Sequence, residues 1–318
     1  MSEHHVVVGG GPLGRAVARR LVADGHRASV VQRQVPASRL AGVAHVVGDV
    51  RDVALLRRLA GDAVAVYQCA QPAYTRWSQE FPSLQAAIIT SIAPLHARLV
   101  LADNLYAYGK VDGPISEDTP ERPQSRKGRV RQRMLHDAFA SLGTDGRVCA
   151  VRAADFYGPE VTGSAFGDRF FGPLITGSTV HATGALDVPH AVTHVADMAR
   201  TMIAVARSDT PTRVLWLAPT APAITQRQLA AMAAAHHGLP LRITADGRLA
   251  LGIGGLFARE AWEVLELLHE FTSPFVVDSA LVTTTFGIEA TSLERGVVET
   301  VDWYRTRTVA APPASARL

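Results

Sequence analysis

The sequence predicts a doubly wound α/β protein: a parallel sheet covered by helices on both faces, with a smaller C-terminal region. Two observations carry this prediction. Near the N-terminus the apolar run 6–8 passes through a glycine turn into a segment with Leu13, Val17 and Leu21 at helical spacing. Further along, short apolar runs alternate with helical patterns, as expected for strands buried on both faces.

The first strand, turn and helix are the most informative unit. Gly9, Gly11 and Gly14 form G-x-G-x-x-G, with Pro12 and Leu13 inside it. Glycine permits the tight turn and lets a pyrophosphate approach the backbone. The helix N-terminus adds free N–H groups and the positive end of its dipole. A dinucleotide site is therefore expected at Gly9, Gly11, Pro12, Leu13 and Gly14. A second strand over 28–32 ends at Gln32 and Arg33. An acidic residue there would accept hydrogen bonds from an adenosine ribose, whereas arginine pairs with a ribose 2′-phosphate. NADPH is thus expected over NADH. A third strand over 45–49 leads through Asp49, placed for an adenine amino group, and Val50 to a helix over 53–59. A fourth, 63–68, runs into Cys69, Ala70 and Gln71, small residues where the cofactor backbone would pass. The fifth and sixth are predicted over 98–102 and 147–152. Thr225-x-x-Gln228 reads as a capping box opening a helix. A flexible break is expected at 252–255, a helix at 261–268 and a disordered tail at 306–318.

Composition fits a soluble, cytoplasmic enzyme: 318 residues, 47% hydrophobic, with no run long enough for a membrane helix and no signal-peptide pattern. Two cysteines, Cys69 and Cys149, give no disulfide framework and read as buried thiols. The net charge is only +3. The densest basic stretch, 126–133, splits on a helix into an exposed stripe of Arg126, Arg129 and Arg133 and an inward pair, Lys127 and Arg131. Nucleic acid is not an expected partner. The paired histidines His4-His5 and His236-His237 lack a nearby set of acidic or thiol ligands in sequence and are expected at the surface, with no metal. Gly163 to Gly167 lacks the Ser-His-Asp order of a nucleophile elbow.

Several spaced motifs resemble the extended short-chain dehydrogenase/reductase superfamily of the epimerase/dehydratase type. They are the glycine turn, Gly48-Asp49, Tyr67-Gln68-Cys69-Ala70, Tyr108-Gly109, Arg152 with Tyr157-Gly158-Pro159, Thr193-His194-Val195-Ala196-Asp197, and Phe275-Val276-Val277-Asp278. The resemblance implies a Rossmann domain over 1–159, rejoined by 188–220, and a substrate-binding region built from 160–187 and 221–305. It also implies that Tyr74, Trp77, Tyr157, Phe166 and Phe170 flank the substrate.

The chain departs from that family at its chemistry. Members carry a Ser or Thr four residues before the tyrosine of Tyr-Gly and a Tyr-x-x-x-Lys further on. Here those positions hold Asn104, Lys127 and Arg131. Arg131 keeps a cation for ribose or nicotinamide but does not titrate. Asn104 offers an amide to a carbonyl oxygen. Lys127 donates a proton only if burial and Arg131 tune its pKa, and a lysine one turn from an arginine is expected to be solvated. The chain therefore resembles triad-less ketoreductases of angucyclinone antibiotic pathways. That implies NADPH-dependent reduction of a polycyclic aromatic ketone by a monomer or homodimer, with the substrate's own phenol assisting. The alternatives are a non-catalytic NADP-binding redox sensor and a nucleotide-sugar epimerase or dehydratase.

Overall fold

A computed structural model describes residues 2–36, 38–143, 147–208, 215–247 and 265–310. Seven parallel strands form the central sheet: β1 (His4–Val8), β2 (Arg27–Gln32), β3 (Val43–Val47), β4 (Ala65–Gln68), β5 (Arg98–Asn104), β6 (Val148–Ala153) and, late in the chain, β11 (Leu215–Leu217). Their order is β11-β6-β5-β4-β1-β2-β3, so the chain reverses direction across the sheet between β1 and β4. In such sheets a ligand crevice opens at that point, beyond the carboxyl ends of the strands.

Helices α1 (Pro12–Ala23) and α6 (Val195–Arg207) cover one face. There Val17 and Leu21 pack with Val7 and Val30 of the sheet and Met198 and Met202 of α6. On the other face lie α2 (Val53–Leu59), α3 (Trp77–Ile92) and α4 (Arg126–Leu142), whose Leu56, Ile88 and Leu135 meet Val6, Val66 and Leu99. The strand positions alternate between these two cores, which explains the unbroken apolar runs. A short 3₁₀ turn, Tyr74–Arg76, joins β4 to α3.

The smaller region has its own core. Helices α5 (Asp168–Thr176), α7 (Gln226–His237) and the C-terminal α10 (Leu293–Ala310) enclose Phe166, Phe170, Phe171, Leu229 and Val301. Between α7 and α10 lie the short helices α8 (His269–Thr272) and α9 (Ala280–Phe286). Thr225 and Gln228 form the expected reciprocal cap at the start of α7. Short strands β7 (Asp155–Tyr157), β8 (Val180–Thr183), β9 (Pro189–His190), β10 (Val192–His194), β12 (Ile224–Thr225) and β13 (Ile243–Asp246) tie this region together in pairs.

Several expectations need correction. The third strand stops at Val47, leaving Gly48 and Asp49 in the following turn. The tail does not begin at residue 306, because α10 continues to Ala310, anchored by Val301 and Tyr304 in the core of the smaller region. The break at 252–255 and the first half of the helix expected at 261–268 lie outside the described residues; Leu267 and Leu268 are buried just before α8. His4 and His5 are buried rather than exposed. His4 bridges Asp62 at 2.6 Å and Ser29 at 2.9 Å, and the His5 Nδ1 is 3.2 Å from the Tyr67 hydroxyl. Burial and neighbouring His26 push the His5 imidazole down to about 4. Glu3, next to this pair in the sequence, lies 3.5 Å from His5 and 3.2 Å from the Arg207 guanidinium.

Candidate active site

A cleft of about 920 Å³ opens over the carboxyl ends of β1, β2, β4 and β5. One end is built almost entirely from main chain. Gly9 has φ +106°, and a Cβ there would lie 2.7 Å from the backbone nitrogen of Ala70, so the turn after β1 and the end of β4 approach too closely for any side chain. Gly14 does not line the cleft. A Cβ on it would fall 1.9 Å from the Gly9 carbonyl oxygen, so this glycine lets helix and turn pack together. Gly11 caps α1 with open space around its missing side chain and no side-chain capping bond, and the first turn of α1 carries no acidic residue. Gly11, Pro12 and Leu13 therefore bring main chain to the cleft wall with no acidic side chain of their own turn beside it. This cradle fits a dinucleotide pyrophosphate.

Pro12, Leu13, Gln32, Arg33, Asp49, Val50, Cys69, Ala70 and Gln71 all line the cleft with Gly9 and Gly11. Arg33 is exposed at the rim, and the Gln32 side chain folds over Gly10 to donate to the Gln34 carbonyl at 2.8 Å. Asp49 lines the cleft already paired with Arg51. Arg51 grips both its oxygens at 2.6–3.1 Å, and these hydrogen bonds hold the carboxyl down at about 2. Cys69 is half-buried at the cleft wall rather than fully buried, and desolvation pushes its thiol up, so it stays protonated. Across the rim, Glu160 takes the Arg15 Nε at 2.9 Å and also bonds Arg19, joining α1 to the loop after β7. Glu160 holds φ +67°, an uncommon left-handed conformation for a residue with a side chain.

The other end of the cleft is aromatic and acidic. Tyr74, Trp77, Phe81, Tyr106, Phe156 and Phe275 line it, with Asn104, Asp155 and Glu270. Asn104 closes β5, and its side-chain oxygen accepts the Tyr106 backbone N–H at 3.3 Å, which leaves the amide NH₂ for a ligand. Glu270 is 3% exposed, and one of its oxygens has no hydrogen-bond partner. Burial first, and the neighbouring Asp155 second, raise its carboxyl well above the ordinary range.

The inward pair on α4 behaves differently from the solvated lysine expected. Arg126, Arg129 and Arg133 are exposed, while Lys127 is 2% and Arg131 6% exposed. The Lys127 Nζ lies 3.9 Å from the centroid of the Tyr74 ring, and Lys127 does not line the cleft. Buried against the Tyr74 ring and outside the cleft lining, Lys127 is not placed to donate a proton directly. Arg131 touches the cleft, but its Nε donates to Asp103 at 2.6 Å and it stacks 4.8 Å from the Phe81 ring. Asp103 also accepts Arg152 at 2.8 Å, and Arg152, wholly buried, reaches Glu121 and covers the Tyr108 ring. Two guanidiniums and two carboxylates thus balance beneath β5 and β6. Burial alone would raise the Asp103 carboxyl, but Arg131 and Arg152 hold it below its ordinary value.

Three residues expected to flank the substrate do not. Tyr157, Phe166 and Phe170 are each 1% exposed within the core of the smaller region, where their rings fill space between helices. Sequence reading missed Phe81, Tyr106, Asp155, Glu270 and Phe275. Tyr106 was within reach, lying only two residues beyond Asn104 at the end of a strand.

Residues 5–215 match the model of the NAD-dependent epimerase/dehydratase family. The chain belongs to this family. Its members' cofactor is the dinucleotide that the glycine cradle fits. No curated protein matches the sequence significantly. Among solved structures, it resembles MoeE5 in complex with UDP-glucuronic acid and NAD, at 21% identity and a TM-score of 0.75, covering 96% of this chain and 99% of that one. It also resembles the UDP-glucose 4-epimerase of Thermotoga maritima (17% identity, TM-score 0.75, 96% and 99% covered). A third is DesIV, a dTDP-glucose 4,6-dehydratase from Streptomyces venezuelae (19%, TM-score 0.75, 98% and 99% covered). At these identities the likeness is one of fold. Among the described residues no helix is long and apolar enough to cross a membrane.

Proposed function

We propose that this chain is an NADPH-dependent ketoreductase of an aromatic polyketide, of the angucyclinone type, acting in antibiotic biosynthesis without the Ser-Tyr-Lys triad. The observation that carries the reading is the aromatic end of the cleft, where Tyr74, Trp77, Phe81, Phe156 and Phe275 line the space beyond the cofactor cradle. Such walls suit a flat apolar ring system, with the Asn104 amide offering a hydrogen bond to its carbonyl oxygen. Arg33 at the rim supports NADPH, since its guanidinium suits a 2′-phosphate. When bound, the dinucleotide supplies a hydride to the carbonyl carbon. The glycine cradle and aromatic walls position the two reactants, which accounts for much of the rate in such a step.

The nucleotide-sugar structures it resembles motivate a second reading, epimerase or dehydratase. The two separate in one experiment. Purified protein is assayed for NADPH oxidation with a panel of hydroxylated polycyclic aromatic ketones, and for conversion of UDP- and dTDP-glucose. Reduction of ketones and inertness toward the sugars is expected. Sugar conversion without ketone reduction would replace the first reading by the second, and NADP binding with neither activity would favour a redox sensor.

A further inference from the structure

The acid tyrosine missing from α4 leaves the source of the proton open. Two phenols from other parts of the chain meet at the reactive end instead. Tyr106 follows β5 and Tyr74 opens the 3₁₀ turn after β4; their hydroxyls are 3.4 Å apart, with Tyr74 donating to Tyr106. Both line the cleft beside Asn104. Tyr106 is fixed at both ends of its backbone: its N–H is held by Asn104, and its carbonyl oxygen packs so closely on α4 that a Cβ at Gly128 would lie 2.3 Å from it. Tyr74 is fixed by its ring, edge-on to Trp77 at 5.3 Å and covered on one face by the Lys127 ammonium.

Resting on the ketoreductase reading, we propose that the Tyr74–Tyr106 pair is the proton donor of this enzyme, rather than Lys127 or the substrate's own phenol. As hydride from a dihydronicotinamide forms the new C–H bond, the carbonyl π electrons move onto oxygen. The Tyr106 O–H bond breaks and its proton joins that oxygen. The Tyr74 proton passes to Tyr106, and water restores Tyr74. The net input is one hydride and one solvent proton, leaving an alcohol and an oxidised nicotinamide. The hydrogen bond already runs in this sense, which keeps the Tyr106 proton available to the ligand. At 3.4 Å it is long, as catalytic hydrogen bonds often are before a ligand tightens them. Burial raises both phenols, so both stay protonated throughout the working pH range. Lys127, over the Tyr74 face, lowers the cost of transient negative charge on that ring.

The test uses Tyr106→Phe and Tyr74→Phe, which keep the rings and remove only the hydroxyls. The first readout is the visible absorption band of a hydroxylated aromatic ketone bound with oxidised NADP, which reports a hydrogen bond to the carbonyl without turnover. Wild type should shift the band and Tyr106→Phe should lose the shift, with NADP affinity and thermal midpoint preserved. The second readout is kcat, expected to fall roughly 10²-fold or more in Tyr106→Phe and by a smaller factor in Tyr74→Phe. The proposal is overturned if Tyr106→Phe keeps kcat within about threefold while methylating the substrate's neighbouring phenol abolishes turnover. Wild-type protein that neither shifts nor reduces any ketone would instead sink the ketoreductase reading, and the role of the phenol pair with it.

Discussion

The two ends of the cleft are built on different principles. At the cradle end the work is done by absent side chains: Gly9 and Gly11 leave main chain at the cleft wall, Gly14 lets α1 pack on the turn, and all three fall within six consecutive residues. The other, aromatic end, where the proposed reaction would take place, is lined by side chains from separate segments: Tyr74 after β4, Asn104 and Tyr106 at the end of β5, Asp155 in β7, Glu270 in α8 and Phe275 beyond it. A backbone site tolerates little change, whereas a side-chain site can exchange its parts as long as the shape survives. Here the triad positions hold Asn104, Lys127 and Arg131, and the last two are turned inward to hold the fold.

The largest break in that comparison is expected beneath the reactive end. Asp103→Ala would leave Arg131 and Arg152 buried without their shared carboxylate. Removing one partner of a buried ion pair costs about 3–5 kcal/mol. Denaturant unfolding should show that loss, and a change below about 1 kcal/mol would mean that water or Glu121 compensates. If Arg131 served the ligand alone, the same substitution would alter binding and spare stability.

Gly9→Val tests the backbone end. The φ of +106° and the 2.7 Å approach to Ala70 leave no room for a β-branched residue. Strain of about 1–3 kcal/mol is expected, together with loss of NADPH and NADH binding alike. Wild-type affinity in titration calorimetry would show that the cradle lies elsewhere.

These two predictions also mark what the sequence could tell. The strand-turn-helix at 4–23 and the helix at 53–59 were legible because periodicity and glycine spacing act over a few residues. Burial of Phe166 and Phe170 instead of substrate contact was not legible. An aromatic residue following a strand looks the same whether it faces a cleft or a second core, and only the packing of α5 against α7 and α10 decides between them. Glu270 was out of reach for a plainer reason: more than a hundred residues separate it in sequence from every β5 residue it joins at the cleft.

Arg33→Asp sharpens the comparison at the cofactor end, because it changes one rim side chain and leaves the backbone cradle intact. If Arg33 pairs with a 2′-phosphate as proposed, the change removes that charge-assisted contact and adds repulsion. NADPH affinity should fall on the order of tenfold, about 1.4 kcal/mol, while NADH affinity stays nearly constant. An unchanged ratio of the two would remove the argument for NADPH.

The smallest expected effect lies in Glu270, whose buried carboxyl lacks a partner for one oxygen and is raised by burial and by Asp155. A folded-state pKa above the unfolded value means that the native state holds the proton longer. Stability is then fully present below about pH 4.3, the unfolded value, and declines as pH rises through the folded one. Glu270→Gln keeps the shape and cannot ionise. Wild type and variant should therefore unfold alike near pH 4, and the variant should become the more stable of the two as pH rises toward neutrality and beyond. Urea midpoints across a pH series measure the gap. Parallel curves would show that this carboxyl is ionised in the folded protein, and that the acidic corner of the reactive end carries negative charge toward its ligand. A widening gap would show a neutral acid there, able to donate a hydrogen bond to an incoming oxygen.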